Sequence, residues 1–194
     1  FVAVAWAVVG YSLAFTAGTP WIGDLSAAFL SGIGFEPRTG TTIPHMLFMC
    51  YQATFCIITA ALISGAIVER MRFNAYVLFI TLWVIVIYGP IAHWVWGGGW
   101  LGKFGALDYA GGTVVHVNAG VAALAAALVL GNRTNYGRQA FLPGNVPYTL
   151  LGAGMLWAPE AASAITQLPP WINRAIALSG LAIQPGTCQH APVA

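Results

Sequence analysis

Charged side chains are scarce in this sequence. Only 6% of its 194 residues are Asp, Glu, Lys or Arg, whereas 59% are hydrophobic. Soluble domains carry roughly 25% charged residues, so this chain has too few to cover a surface that faces water. We therefore predict an integral membrane protein whose main solvent is lipid. The formal net charge is only +2 and no basic run is present, which argues against nucleic acid as a partner.

Cysteine is also rare, and its spacing excludes two classes of site. Cys50, Cys56 and Cys188 form neither a CxxC pair nor a metal-ligand pattern. Cys50 and Cys56 lie in an apolar segment, where a thiol behaves as a small hydrophobic group. We predict no metal and no cofactor. The chain opens at Phe1 inside an apolar stretch, without an initiator Met or a charged leader, so we expect the natural N-terminus to lie upstream.

Long apolar segments dominate what is present. A membrane-spanning helix needs about 20 apolar residues, and three of five segments reach that length. The backbone of such segments must satisfy its own hydrogen bonds, which favours helices, and the alternation typical of a barrel is missing. We predict an all-α polytopic membrane protein. The apolar segments are residues 1–15, 45–68, 74–92, 110–131 and 146–158.

Basic residues predict the orientation of these segments. The loops at Glu69–Phe73 and Asn132–Asn145 hold four arginines, whereas the opposite loops hold only Arg38 and Lys103. Cytoplasmic loops are enriched in Lys and Arg. We therefore place Glu69–Phe73 and Asn132–Asn145 in the cytoplasm and residues 93–109 on the outer side.

Two ionisable residues stand out in the stretch "HWVWGGGWLGKFGALDYAGGTVVH", residues 93–116. Asp108 precedes a long apolar helix, where a carboxylate can cap free backbone N–H groups. His116 lies eight residues further on, about 12 Å deeper if the intervening chain is helical. An ionisable group at that depth is typical of a functional site, although a histidine bonded to a neighbouring carbonyl is the alternative.

Three tryptophans in the same stretch have two interpretations. Trp94, Trp96 and Trp100 fit an interfacial aromatic belt. A tryptophan beside glycines can also present its open face to a cation. Gly97–Gly99 leave room for that approach, or they mark a sharp turn.

Five stretches, in order between residues 1 and 157, closely resemble the ammonium transporter family, the Amt/Mep/Rh group. The resemblance implies about eleven transmembrane helices per subunit of a homotrimer, of which this chain would hold about helices 2–6. The stretches are "GYSLAF" (10–15), "ATFCIITAALISGAIVERMRFNA" (53–75), "AHWVWGGGWL" (92–101), "GALDYAGGTVVHVNAGVAAL" (105–124) and "NVPYTLLGAGMLW" (145–157).

The same resemblance implies roles for individual residues. Trp96 matches the vestibule tryptophan that holds ammonium by a cation–π contact, and Tyr51 matches an aromatic of the vestibule rim. Phe55 matches the first of two stacked gate phenylalanines. Asp108 matches the acid near the vestibule floor, and His116 matches the first of two paired pore histidines. The implied function is ammonium and ammonia transport across the plasma membrane, with a PII-type regulator as a cytoplasmic partner.

The resemblance stops after residue 157. We therefore divide the chain into a partial transmembrane domain, residues 1–157, and an atypical tail, residues 158–194, which a frameshift, a misjoined assembly or a degraded gene would explain. Ser163 stands where the second gate phenylalanine is expected, and Gln167 where a vestibule serine is expected. The second pore histidine would fall beyond Ala194. We expect residues 1–194 alone to hold half a pore and not to conduct ammonium.

Other functions remain as alternatives. One is a membrane enzyme that uses Asp108 and His116 as an acid–base pair. At helical spacing these residues stand about 80° and two turns apart, and no HExxH motif or nucleophile elbow accompanies them, so we predict that the protein is not an enzyme. The others are the receptor domain of an ammonium sensor and a Rh-type channel for ammonia or carbon dioxide. The "HWVWGGGW" stretch favours the ammonium-recruiting Amt branch.

Overall fold

The computed structural model describes residues 1–133, 136–138 and 144–155. It separates the chain into two units, residues 1–136 and 137–194. Within the described ranges every regular element beyond two isolated bridges is helical, which confirms the predicted all-α class.

Five helices and one short 3₁₀ turn make up the first unit. Three of the helices contain a π-helical section. Helix α1 comprises Val2–Ala5, π-helical Trp6–Gly10 and Tyr11–Phe15. The 3₁₀ turn Ala28–Leu30 lies in the loop that leads to α2, His45–Ile67. Helix α3 comprises Phe73–Trp83, π-helical Val84–Tyr88 and Gly89–Val95, and α4 is Trp100–Lys103. Helix α5 comprises π-helical Gly112–Val117 and Asn118–Leu130.

The second unit contributes one described helix, α6, at residues 146–155. Asn145 caps its start, because the Asn145 Oδ1 accepts a hydrogen bond from the Tyr148 backbone N–H at 3.0 Å. An asparagine in this position satisfies one of the free N–H groups of a first helical turn. The predicted segment 146–158 therefore begins where expected, and its last three residues lie outside the described part of the chain.

Among the residues that the structure describes, three segments are long and apolar enough to cross a membrane, and they correspond to the three predicted spans. They are His45–Ile67, Phe73–Lys103 and Gly112–Leu130. The middle one extends beyond the predicted end at residue 92, because the helix continues through Val95 and resumes at Trp100 after a tight turn. His93 is consequently a helical residue and not part of a loop.

The core of the first unit forms where α1 meets α2 and α3. Trp6 is almost fully buried, its ring lies 5.8 Å from that of Tyr88 on α3, and its indole N–H donates to the Met49 carbonyl oxygen on α2. Small buried residues such as Cys56 and Ala60 on α2 let neighbouring helices approach. Van der Waals packing of this kind is the main force between helices in lipid. Cys56 thus packs as a small apolar residue, as predicted.

The C-terminal ends of α2 and α5 lie at the same end of the first unit. The Arg70 Nη1 group, just after α2, donates to the Gly131 carbonyl oxygen at the end of α5, at 3.0 Å. This contact agrees with the predicted alternation of the spans, because it requires the ends of α2 and α5 to share one side. The opposite end carries the turn at residues 96–99 and the start of α5.

Candidate functional site

Trp96 is fixed at the end of α3 by its backbone and by its side chain. Its backbone N–H donates to the Ala92 carbonyl oxygen at 2.8 Å. Its indole Nε1–H donates to the backbone carbonyl oxygen of Asp108 at 2.7 Å, across twelve residues of sequence. Because the indole N–H already has a protein partner, the edge of the ring is held in one orientation.

Phe55 and Tyr51 complete an aromatic cluster around Trp96. The rings of Phe55 and Trp96 lie 5.5 Å apart at 67°, and those of Tyr51 and Phe55 lie 5.2 Å apart at 83°. These are edge-to-face contacts, which the ring quadrupoles favour. Tyr51 is 57% exposed, whereas Phe55 is half-buried. We call Tyr51, Phe55 and Trp96 the aromatic cluster.

The other two tryptophans of the stretch belong to a different group. Trp94 and Trp100 lie 5.9 Å from each other, and Trp21 of the outer loop contacts both, at 5.9 and 5.4 Å. The Trp94 indole N–H donates to the Trp21 carbonyl oxygen at 2.6 Å. The sequence pattern does not distinguish the three tryptophans of the stretch, whereas the structure places them in two separate clusters. Only Trp96 joins Phe55.

Asp108 caps α5 with both of its carboxylate oxygens. The Oδ1 atom accepts from the Gly111 N–H at 2.7 Å, and the Oδ2 atom accepts from the N–H groups of Thr113 and Val114 at 2.9 and 2.8 Å. Bonds from backbone N–H groups to an ionised carboxylate are stronger than neutral ones. The capping interpretation is therefore confirmed, and the carboxylate faces the helix end while its backbone oxygen holds Trp96.

Gly111 shapes this cap, although no role was predicted for it from the sequence. Its φ of 89° lies in the left-handed region. An added Cβ would come within 2.7 Å of Val115 Cγ2, so a side chain here would strain the backbone and displace Val115. The signal available in the sequence was the spacing Asp-x-x-Gly directly before an apolar helix.

The position of His116 differs from the predicted one. Helix α5 begins only at Gly112, so half of the chain between Asp108 and His116 is not helical. His116 lies four residues into the helix, within its first π-helical turn, and not two α-helical turns below Asp108. Its backbone N–H donates to the Gly111 carbonyl oxygen at 3.0 Å, and its side chain is exposed. Asp108 and His116 thus both lie at the start of α5, where Asp108 caps the helix and His116 belongs to its first section.

Two further histidines have structural partners. His45 begins α2, and its Nε2 atom lies 2.7 Å from the Tyr11 hydroxyl. His93 is buried near the aromatic cluster and contacts two backbone carbonyls. No spacing pattern in the sequence pointed to His93. Ser163, Gln167 and His190 lie outside the described residues.

Within the described ranges, the apolar spans are joined by short connections, and the aromatic cluster lies at one end of them. These features define a polytopic α-helical membrane protein with a candidate site for a small solute. The chain belongs to the ammonium transporter family. The model of the Ammonium Transporter Family matches residues 1–159, which confirms the resemblance seen in the motifs.

Individual relatives support the same conclusion. The chain is 52% identical over 157 residues to the ammonium transporter of Bacillus subtilis, which covers 80% of this chain and 38% of that protein. It is 43% identical over 152 residues to ammonium transporter Amt1 of Archaeoglobus fulgidus, covering 78% and 37%. The crystal structure of Candida albicans Mep2 superposes with a TM-score of 0.70 at 40% identity, covering 80% and 36%. The chain therefore spans somewhat more than a third of the relatives that it matches.

These similarities bear on two of the predictions. The family and the Bacillus and Archaeoglobus relatives are named for transport, which supports the prediction that the protein is not an enzyme. The same names, together with the three apolar spans, confirm an integral membrane protein. The plasma membrane as the location, the homotrimer and the atypical character of residues 158–194 remain predictions.

Proposed function

We propose that this chain is part of an ammonium transporter of the plasma membrane, and that the aromatic cluster is its outer recruitment site. Family membership supports ammonium as the substrate. The geometry of Trp96 carries the proposal for the site. Its indole edge is held by the Asp108 carbonyl oxygen and is packed against Phe55, so ammonium can bind at the ring face without first reorganising the tryptophan.

Elementary energetics support recruitment followed by deprotonation. A bare cation in hydrocarbon would cost tens of kcal/mol by idealised Born solvation, whereas a desolvated cation–π contact contributes only about 2 kcal/mol. Trp96 can therefore gather ammonium but cannot carry the charge across. Loss of a proton leaves neutral ammonia, and the imidazole of His116 can donate to it or accept from it. Potassium has no proton to lose, so the same path rejects it.

The remainder of the proposal concerns the whole transporter. The chain spans 38% of the Bacillus relative, and we propose that a complete pore requires the remaining helices, a homotrimer and a cytoplasmic face that accepts a PII-type regulator. Asn132–Asn145 and Glu69–Phe73 would lie on that face. The contact between Arg70 and Gly131 supports a shared side for these two loops.

A chimera tests the proposed function. Residues 1–157 replace the matching segment of the Bacillus subtilis transporter, and methylammonium uptake is measured in cells without their own transporters. We expect uptake by the chimera, because its core contacts come from a segment 52% identical to the one replaced. A chimera that reaches the membrane in normal amounts but transports nothing would contradict the proposal.

The 194-residue chain alone gives a second prediction. Expressed in the same transporter-null cells, it is expected to give methylammonium uptake no greater than an empty vector. The physical reason is that the Born cost of a cation in hydrocarbon requires a closed path, and we expect that the three apolar spans of the described residues are too few to form one. Uptake above background would show that a third of the family's length is sufficient.

Trp96→Leu in the chimera tests the recruitment site. Removing a desolvated cation–π contact of about 2 kcal/mol should raise the KM for methylammonium about 30-fold. The matched control is Trp100→Leu, since Trp100 belongs to the cluster with Trp21 and Trp94, and its KM should change less than about twofold by the same scale. Equal effects of the two substitutions would place the recruitment site elsewhere.

A second candidate function is an ammonium-sensing receptor. A solved structure named Sensor Amt Protein matches 80% of this chain at 31% identity with a TM-score of 0.68. In that case the aromatic cluster would bind ammonium as a signal. A chimera that binds methylammonium in calorimetry, and loses binding with Trp96→Leu, but shows no uptake would favour the sensor over the transporter.

A further inference from the structure

His93 holds an unusual pair of contacts at the end of α3. The side chain is 2% exposed. Its Nδ1 atom lies 3.1 Å from the Ala14 carbonyl oxygen, and its Nε2 atom lies 2.9 Å from the Thr19 carbonyl oxygen. A carbonyl oxygen can only accept a hydrogen bond, so the ring nitrogen that carries the proton donates to the carbonyl that faces it. The His93 ring thus lies between the end of α1 and the outer loop.

The end of α1 offers an acceptor to the His93 ring. Ala14 lies in the last turn of α1, which ends at Phe15, where the carbonyl groups have no partner within the helix. The neighbouring Ser12 and Leu13 carbonyls accept from the backbone N–H groups of Thr16 and Gly23, which leaves the Ala14 oxygen for His93.

The main chain of His93 is engaged in the turn that presents Trp96. The His93 carbonyl oxygen accepts from the N–H groups of Gly97 and Gly99, at 3.1 and 2.9 Å. Trp96 lies inside this turn, with its own N–H bonded to Ala92. One residue therefore connects the end of α1, the outer loop at Thr19 and the turn that orients the tryptophan.

We propose that His93 is a positioning residue that fixes the orientation of Trp96 by joining the turn at residues 96–99 to the end of α1. The inference deepens the proposed function and rests on it for the role of Trp96. His93 does not contact the solute in this scheme. It acts through the turn and through the indole that the turn carries.

Other ionisable groups near this region have their own partners. The Tyr11 hydroxyl is bonded to His45, and the Asp24 carboxylate accepts from the Ser26 hydroxyl at 2.6 Å. The Asp108 carboxylate is occupied by the cap of α5. The two atoms that face the His93 nitrogens are backbone carbonyl oxygens.

Nuclear magnetic resonance of the full 194-residue chain in lipid nanodiscs tests the inference without transport. His93→Phe, which has no donor, is expected to shift the Trp96 indole N–H resonance, assigned by its loss in Trp96→Phe. The matched control is His45→Phe, which removes a histidine bonded to Tyr11 and should leave that resonance in place.

Uptake by the chimera supplies a second measurement. His93→Phe is expected to raise the KM for methylammonium about tenfold while the maximal rate changes less than about twofold, because a misplaced tryptophan weakens binding without blocking the path. His93→Gln, which keeps one donor group, should give an intermediate KM. A fall in maximal rate with unchanged KM would indicate a merely structural residue.

Two results would overturn the inference. One is an unchanged Trp96 indole resonance in a folded His93→Phe chain. The other is a KM for methylammonium that stays the same in the His93→Phe and His93→Gln chimeras as in the unsubstituted chimera. If the native chimera shows no uptake while the Trp96 resonance shifts in His93→Phe, the proposed function fails and the positioning of Trp96 by His93 stands.

Discussion

Asp108→Ala is expected to lower the free energy of unfolding by about 3 kcal/mol. Loss of a helix cap typically costs about 1 kcal/mol, and a hydrogen bond to a charged group contributes about 1.5–3 kcal/mol. The carboxylate here accepts three such bonds, from Gly111, Thr113 and Val114. Denaturation of the chain reconstituted in mixed micelles, followed by circular dichroism, measures the change.

Asp108→Asn separates the cap from a role in proton handling. The asparagine Oδ1 atom still accepts a hydrogen bond, so the expected loss is about 1 kcal/mol, the usual scale for a weakened cap. If Asp108 acts only as a cap, the chimera with Asp108→Asn should retain uptake in proportion to its folded amount. A well-folded asparagine variant without uptake would show that the charge of the carboxylate is itself required. An alanine variant as stable as the native chain would contradict the cap.

Gly97→Ala is expected to destabilise the chain by about 3 kcal/mol, the upper part of the usual range for overpacking. A Cβ at Gly97 would overlap the Ala14 carbonyl oxygen and would lie 2.8 Å from the His93 Nδ1 atom and 2.9 Å from the His93 Cα atom. Two of these three atoms are backbone, so α1 and the turn after α3 would have to separate. The same denaturation experiment provides the measurement.

Gly120→Ala is the matched control for that substitution. Gly120 lies in α5, and its added Cβ would meet no other atom within 4 Å. Alanine is favoured over glycine in a helix interior by about 1 kcal/mol, so this variant should be as stable as the native chain or slightly more stable. Equal losses at the two positions would mean that the close approach of α1 to residue 97 does not exist in the folded protein.

Several parts of the site could be predicted from the sequence because they depend on local spacing. Tyr51 and Phe55 are four residues apart on one helix, which places their rings on one face, and the structure has them in contact. Asp108 before an apolar run predicted a cap, and the cap is present. The start of α5 was less predictable. Because α5 begins only at Gly112, His116 lies closer to the helix end than predicted. No hydrophobic pattern distinguishes π-helical from α-helical turns.

The sequence by itself determined the class of protein, its three spans and its family, because hydropathy is a local property that sums along each segment and motifs are local strings. The tertiary structure alone decided which tryptophan joins Phe55, which oxygen of Asp108 holds the indole, and what His93 does. Its two carbonyl partners lie 79 and 74 residues away in sequence. Hydrogen bonds of such range depend on how helix ends meet in space, and that is settled only when α1, the outer loop and α3 are packed together.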